Sequence, residues 1–122
     1  MIEHHIIGSK NYAYIEIRQS PDLATFIRAS QLFVSDPQFS PSLNRICDFS
    51  QADLSHITQQ DFEAYLKFAV AEIPLEANTK IALVAPGEAK AGIFKQFADN
   101  MQTGTFRVFY EPELAVEWIH GD

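Results

Sequence analysis

The sequence predicts an α/β domain built on a mostly parallel sheet of about five strands. Three observations carry that prediction. Ile81, Ala82, Leu83, Val84 and Ala85 are apolar at every position, so both faces of that strand demand burial. Strand-like and helix-periodic segments alternate as β-β-α-β-α-β-α-β-α, the order of a parallel core with helical crossovers. The 122 residues are the length of one domain, so residues 1–122 are expected to share one core.

The elements follow in order. Ile2–Ile7 and Tyr12–Arg18 are β-rich runs joined by Gly8-Ser9-Lys10-Asn11, which predicts an N-terminal β-hairpin. Ala13, Ile15 and Ile17 share one face of the second strand; Tyr12, Tyr14 and Glu16 share the other. That alternation predicts a half-exposed strand near the sheet edge. Ser20-Pro21-Asp22 predicts a helix start, with Ser20 as the cap, Pro21 in the first turn and Asp22 at the positive end of the dipole. Leu23, Phe26, Ile27, Phe33 and Val34 mark the apolar face of that helix, with Ser30 inside the stripe. Pro37 and Pro41 frame the following loop around Phe39.

Arg45–Phe49 is the next predicted strand, and its polar exit, Ser50 to Ser55, is expected as a loop. Thr58 caps a helix, with Asp61 in a capping-box-like position. Phe62, Tyr65, Leu66, Ala69, Val70 and Ile73 then recur at helical spacing on one face, and Pro74 stops the helix. After the doubly buried strand, Pro86 and Gly87 break the run. Ile93, Phe94, Phe97, Ala98 and Met101 form the inner face of a third helix, with Gly104 as terminator. Phe106–Tyr110 is the last strand. Glu111-Pro112-Glu113 opens a short helix with Leu114, Ala115, Trp118 and Ile119 inward, closed by Gly121. Crossovers between parallel strands should be right-handed.

Charge excludes some partners. Nine basic residues stand against 16 acidic, a net of −7, and no Lys/Arg cluster supplies the basic face that nucleic acid needs. Lys80, Lys90 and Lys95 are interleaved with Glu76, Glu88 and Asp99. Nucleic acid and anionic membrane surfaces are therefore not expected as partners. No apolar run approaches the ~20 residues of a membrane span. MIEHHIIGSK has neither the basic nor the apolar region of a secretory signal. Cys47 is the sole cysteine, which excludes an internal disulfide and fits a reducing compartment. A cytoplasmic location without membrane insertion is the expectation.

In open α/β sheets, ligands meet the carboxyl ends of the strands. That rim collects Asp48, Ser50, Asp53, Ser55, His56 and Thr58 after one strand, Gly87, Glu88 and Lys90 after the next, and Glu111 and Glu113 after the last. An acid, a hydroxyl and a histidine in one loop invite a hydrolase using His56 with Asp48 or Asp53. A triad needs those groups within hydrogen-bond reach of one another, and no G-x-S-x-G elbow is present. Loop and cap duty explains the same residues without catalysis. A phosphorylatable hydroxyl at a helix start, Thr58 or Ser55, is the sharper alternative. Gly87 opens a helix, but one glycine followed by Glu88 is a poor phosphate cradle. His4 and His5 are strand neighbours on opposite faces, His56 is in a loop and His120 at a helix end, so they do not form a metal site. Cys47 reads as a small core residue. Most Phe residues fall on inner helical faces; Tyr12, Tyr14 and Phe39 pack at a rim or line a pocket. No cofactor is expected.

Three segments carry a resemblance: NRICDFSQADLSHITQQDF, KIALVAPGEAKAGIFKQFADNM and FRVFYEPELAVEWI. A strand ending in Asp, a strand ending in Ala-Pro, and an aromatic strand followed by a Glu/Ala/Trp helix resemble the SpoIIAA-like family of STAS-type domains, in the same order. The resemblance covers about residues 44 to 119. It implies a sheet wound as a right-handed β/α superhelix and a non-enzymatic module. Its best-known members are anti-sigma-factor antagonists, switched by phosphorylation of a serine in a D-S-S-G-L motif at a helix start. The nearest stretch here is Ser55-His56-Ile57-Thr58-Gln59-Gln60, without that motif. Thr58 lies beside the switch position, and an ungapped comparison places Ile57 on it. The chain therefore resembles the divergent branch, sometimes likened to lipid-binding CRAL-TRIO domains.

Three functions compete on this basis. The leading expectation is a small interaction or regulatory domain without catalysis, with Asp48, Ser50, Asp53, His56 and Gly87 as its interaction rim. The second is a binder of a small apolar or lipid-like ligand, which requires an apolar cavity with a few polar groups at its mouth. The third is the His56 hydrolase. A homodimer pairing through the hairpin edge is compatible with each.

Overall fold

Five strands lie side by side in the order in which the chain makes them. The structure, a computed structural model, describes residues 2–101 and 103–121, with the side chains at positions 70, 88–91 and 100 outside that description. The roles expected of Val70, Glu88 and Lys90 thus lie outside the described residues.

The strands are β1 (Ile2–Ile7), β2 (Tyr12–Gln19), β3 (Asn44–Ala52), β4 (Lys80–Val84) and β5 (Thr105–Phe109). The helices are α1 (Leu23–Val34), α2 (Gln59–Glu72), α3 (Glu88–Asn100) and α4 (Pro112–His120). The β1–β2 hairpin is antiparallel, with Ile2 opposite Ile17, and its turn is a short 3-10 segment closed by Asn11 in the left-handed region. The remaining strands are all parallel. Each crossover steps one strand further along the sheet. Helices α1, α2 and α3 pack in sequence on one face, and α4 alone covers β3, β4 and β5 on the other. Keeping all three crossover helices on one face requires one hand throughout, which makes the domain a β/α superhelix.

The strand pleat sorts the core. Ile81, Leu83 and Ala85 face α2 and α3, while Ala82 and Val84 face α4, and all five are buried. The dual burial expected of this segment is present. The larger cluster centres on Phe26, Phe49, Phe62 and Phe94, whose rings meet at centroid distances of 5.0 to 6.3 Å. Each buried Phe contributes about 1.5–3 kcal/mol by area removed from water. On the other face Ala115 and Ile119 of α4 pack against Ile46, Ala82 and Val84. Lys80 holds the end of α4, its Nζ donating to the carbonyls of Trp118 at 3.2 Å and Gly121 at 3.1 Å. A cation at a helix C-terminus is favourable.

Several local expectations change. Asp22, not Ser20, caps α1, accepting the Thr25 N–H at 2.8 Å. Pro21 is buried in the core, which delays the helix start. Leu23 and Ile27, expected inside, are each 37% exposed; the inward stripe of α1 is Phe26, Ser30 and Phe33. Ser30 tolerates burial because its hydroxyl bonds the Phe26 carbonyl and the Tyr65 hydroxyl, each at 3.0 Å. Leu114 is half-exposed, since the sheet receives α4 through Ala115 and Ile119. The Ser50–Ala52 exit continues β3 rather than forming a loop, pairing with β2 beyond a register shift between Glu16 and Arg18.

Candidate functional site

The carboxyl rim does not assemble as one site. Asp48 is buried on the α4 side of β3, where it accepts the Tyr14 hydroxyl and, at 2.9 Å, the Ser50 N–H. Burial raises the Tyr14 phenol well above its ordinary value, and the Asp48 bond adds to the rise. Asp53 turns into its own loop, accepting the Ser55 N–H at 3.0 Å. The exposed His56 uses Nε2 to donate to the Pro21 carbonyl at 3.1 Å, tying this loop to the start of α1. Leu54 and Ile57 pin the same loop into the core. Thr58 caps α2, its Oγ1 accepting the Asp61 N–H at 3.1 Å, as its spacing predicts. Gly87 precedes α3 at φ 153°, a turn conformation suited to glycine, and makes no side-chain cap. Among the described residues, then, Asp48, Asp53, His56 and Thr58 each hold a strand, a loop or a helix end, while Glu111 precedes α4 without a side-chain cap bond. His56 bonds a carbonyl, while the two oxygens of Asp48 receive Tyr14 and Ser50.

The Asp53 loop gives a pH prediction. The Ser55 hydroxyl and N–H hold the Asp53 carboxyl below the usual carboxylate range, with smaller help from His56 and Ser20. A carboxyl held low adds stability above its unfolded pKa of about 4 and loses it as pH falls through the folded value. Asp53→Asn is expected to unfold at slightly lower denaturant than wild type at neutral pH. The effect is small because the group is exposed. Below about pH 4 the gap should narrow. A gap that stays constant to about pH 2 contradicts this linkage.

Space lies elsewhere, beneath α1 and α2. A cavity of about 110 Å³ separates these helices from the sheet. A second lobe of about 80 Å³ lies beside it toward α3 and β5. Both lobes share Ile15, Phe33, Cys47, Leu66, Ala69 and Leu83 in their walls. The space exists because small side chains meet there: Ala29 of α1, Ala69 of α2 and Cys47 of β3. Half-exposed Leu32 and partly buried Ile2 and His4 line the larger lobe where it nears the surface between α1 and β1. His4 Nε2 bonds Asp36 Oδ2 at 2.9 Å beside that mouth.

The polar groups in these walls are few. Burial pushes the Tyr65 phenol up to about 12 and the Cys47 thiol up to about 11, so both are neutral at physiological pH. Ser30 and Tyr65 satisfy each other. Arg45 lines the smaller lobe and is only 5% exposed. Burial lowers its guanidinium to about 10, which leaves it charged at neutral pH. Its Nη2 donates to the Pro74 carbonyl at 2.7 Å and the Pro41 carbonyl at 3.4 Å, and Nε to the Leu43 carbonyl at 3.2 Å. The rings of Phe33 and Phe39 flank it at 5.6 and 5.4 Å. That placement accounts for Phe39. Tyr12 packs edge-on to His120, and Tyr14 bonds Asp48.

Sequence reasoning placed function on the rim and missed this cavity. The available signals were Ser30 inside the α1 stripe, Ala69 on the inner face of α2, and Cys47 in a strand. Each is a small residue at a core position, but their convergence is a tertiary fact.

No family model matches the chain, and no curated protein matches it. Among solved structures it is similar to an uncharacterized protein of the DUF3478 family with a SpoIIAA-like fold, from Shewanella loihica. The TM-score is 0.62 at 15% identity, over 98% of this chain and 92% of that one. The fold is therefore SpoIIAA-like, as the resemblance implied.

Proposed function

We propose that the protein is a non-catalytic binding domain that takes a small apolar molecule into the cavity beneath α1 and α2. The cavity itself carries the proposal. Voids forgo packing contacts, and the small side chains of Ala29, Ala69 and Cys47 leave about 110 Å³ unfilled by protein. Wider side chains at Ala29 or Ala69 would recover much of that. A pocket that is apolar, near the surface and bordered by a few polar groups has the form of a ligand site.

The regulatory alternative draws less support from its own residues. Thr58 is exposed, but its hydroxyl is engaged as the α2 cap. Asp61 in the first turn puts a carboxylate where a phosphate would seek positive potential. Ile57, which falls on the switch position of the resembled family, is buried in the core.

Nuclear magnetic resonance titration with 1-hexanol tests the cavity reading. Methyl signals of Leu66, Ala69 and Leu83 are expected to shift in wild type. In Ala69→Leu, whose larger side chain takes up part of the space common to both lobes, the Leu66 and Leu83 methyls should respond less, and stability should rise by up to about 1 kcal/mol. Wild-type methyls that stay still at saturating hexanol, or an unchanged response in the filled variant, would refute the reading.

A further inference from the structure

We infer that the ligand is a small monocarboxylate with an apolar body, its carboxylate paired to the Arg45 guanidinium in the wall of the smaller lobe. This rests on the cavity being a ligand site and adds the chemical class of what enters it. Arg45 is nine-tenths buried or more, yet no carboxylate pairs with it among the described residues. Buried charges are ordinarily paired, because an uncompensated ion in a dry interior is costly. Three backbone carbonyls and two aromatic faces solvate the cation without neutralising it. Those bonds come from Nε and Nη2, and Nη1 is outside them.

The position of this charge is what selects the ligand. Arg45 lines the smaller lobe, which shares Ile15, Phe33, Cys47, Leu66, Ala69 and Leu83 with the larger lobe that opens beside Leu32 and His4. Every other polar side chain in the walls between is neutral or bonded to a neighbour. An apolar space with one cation in its wall favours an anion with an apolar body. One guanidinium balances one negative charge, and Nη1, outside the carbonyl bonds, is the nitrogen left to donate to a carboxylate oxygen. Volume sets the body size. Lobes of about 110 and 80 Å³ limit the acid to about six carbons, given that an apolar cavity of about 150 Å³ holds benzene.

The test compares hexanoate with 1-hexanol, two ligands of matched tail, on the full chain at neutral pH. Wild type is expected to bind hexanoate at least about tenfold more tightly than hexanol, as a charge-assisted pair supplies. Arg45→Met should lose that preference and keep hexanol; Arg45→Lys, which retains the charge with fewer donors, should keep part of it. Should Arg45→Met fail to fold, the wild-type ratio and Arg45→Lys decide alone. Equal binding of the two ligands to wild type overturns the carboxylate inference and leaves the cavity reading intact. Binding of neither, with the Leu66 and Ala69 methyls unmoved, overturns both. Hexanoate preference that survives in Arg45→Met places the anion elsewhere and overturns the inference.

Discussion

Phe94→Ala is expected to destabilise the protein by about 3–5 kcal/mol, the range for removing a fully buried aromatic ring. Phe94 has no exposed surface and meets Phe49 at 5.0 Å and Phe62 at 5.1 Å between ring centroids. It joins α3 to both β3 and α2, so its loss opens a void at the junction of three elements. A single domain holds about 5–15 kcal/mol in total, which makes this a large fraction of the whole. Urea unfolding followed by tryptophan fluorescence and by circular dichroism measures it. A loss below about 1 kcal/mol would show that neighbouring rings collapse into the space, contrary to the close packing seen here.

Gly104→Val is expected to cost about 3 kcal/mol, from two independent causes. Gly104 has φ of 80°, a left-handed conformation that a β-branched residue occupies at about 1–2 kcal/mol. An added Cβ would also lie 2.9 Å from Leu75 Cδ2, 3.1 Å from Ile81 Cδ1 and 3.3 Å from the Thr79 carbonyl. Overpacking of that kind costs about 1–3 kcal/mol. The backbone cannot retreat easily, because the next N–H, of Thr105, bonds the Thr79 carbonyl at 2.8 Å and starts the β4–β5 pairing. Gly87→Ala is the control. Gly87 has an equally unusual φ of 153° but nothing within 4 Å of an added Cβ, so only the conformational part, about 1 kcal/mol, should appear. Similar losses in the two variants would mean that steric crowding at Gly104 has been relieved by local movement.

Much of the fold was legible because its signals are local. Thr58 with Asp61 marked the start of α2, and the structure forms that cap bond. The Gly8–Asn11 stretch marked the hairpin, and Asn11 supplies the left-handed residue that closes it. The errors came where burial depends on a neighbour. Ser20 and Asp22 are both capable caps, and the choice fell to Asp22 once Pro21 was packed into the core. Leu23, Ile27 and Leu114 have the right period for an inner face, but the sheet receives those helices through residues one step around. The site was less legible than the fold. Asp48 and Asp53 lie near each other in sequence but serve different partners, Tyr14 and Ser55, because the pleat and the turn after Ala52 send them apart.

By itself the sequence determined the α/β class, the order of the elements and the doubly buried β4, because hydrophobic period, caps and turn residues act over a few neighbouring positions. It also determined that Cys47 lies inside the strand that begins at Arg45. The tertiary structure alone decided that Ala29, Ala69 and Cys47 leave a space between them, and that Arg45 lines its smaller lobe with no carboxylate partner among the described residues. Those residues come from α1, α2 and β3, far apart along the chain. Volume and charge compensation are sums over whatever surrounds a point in space, and no local pattern computes them.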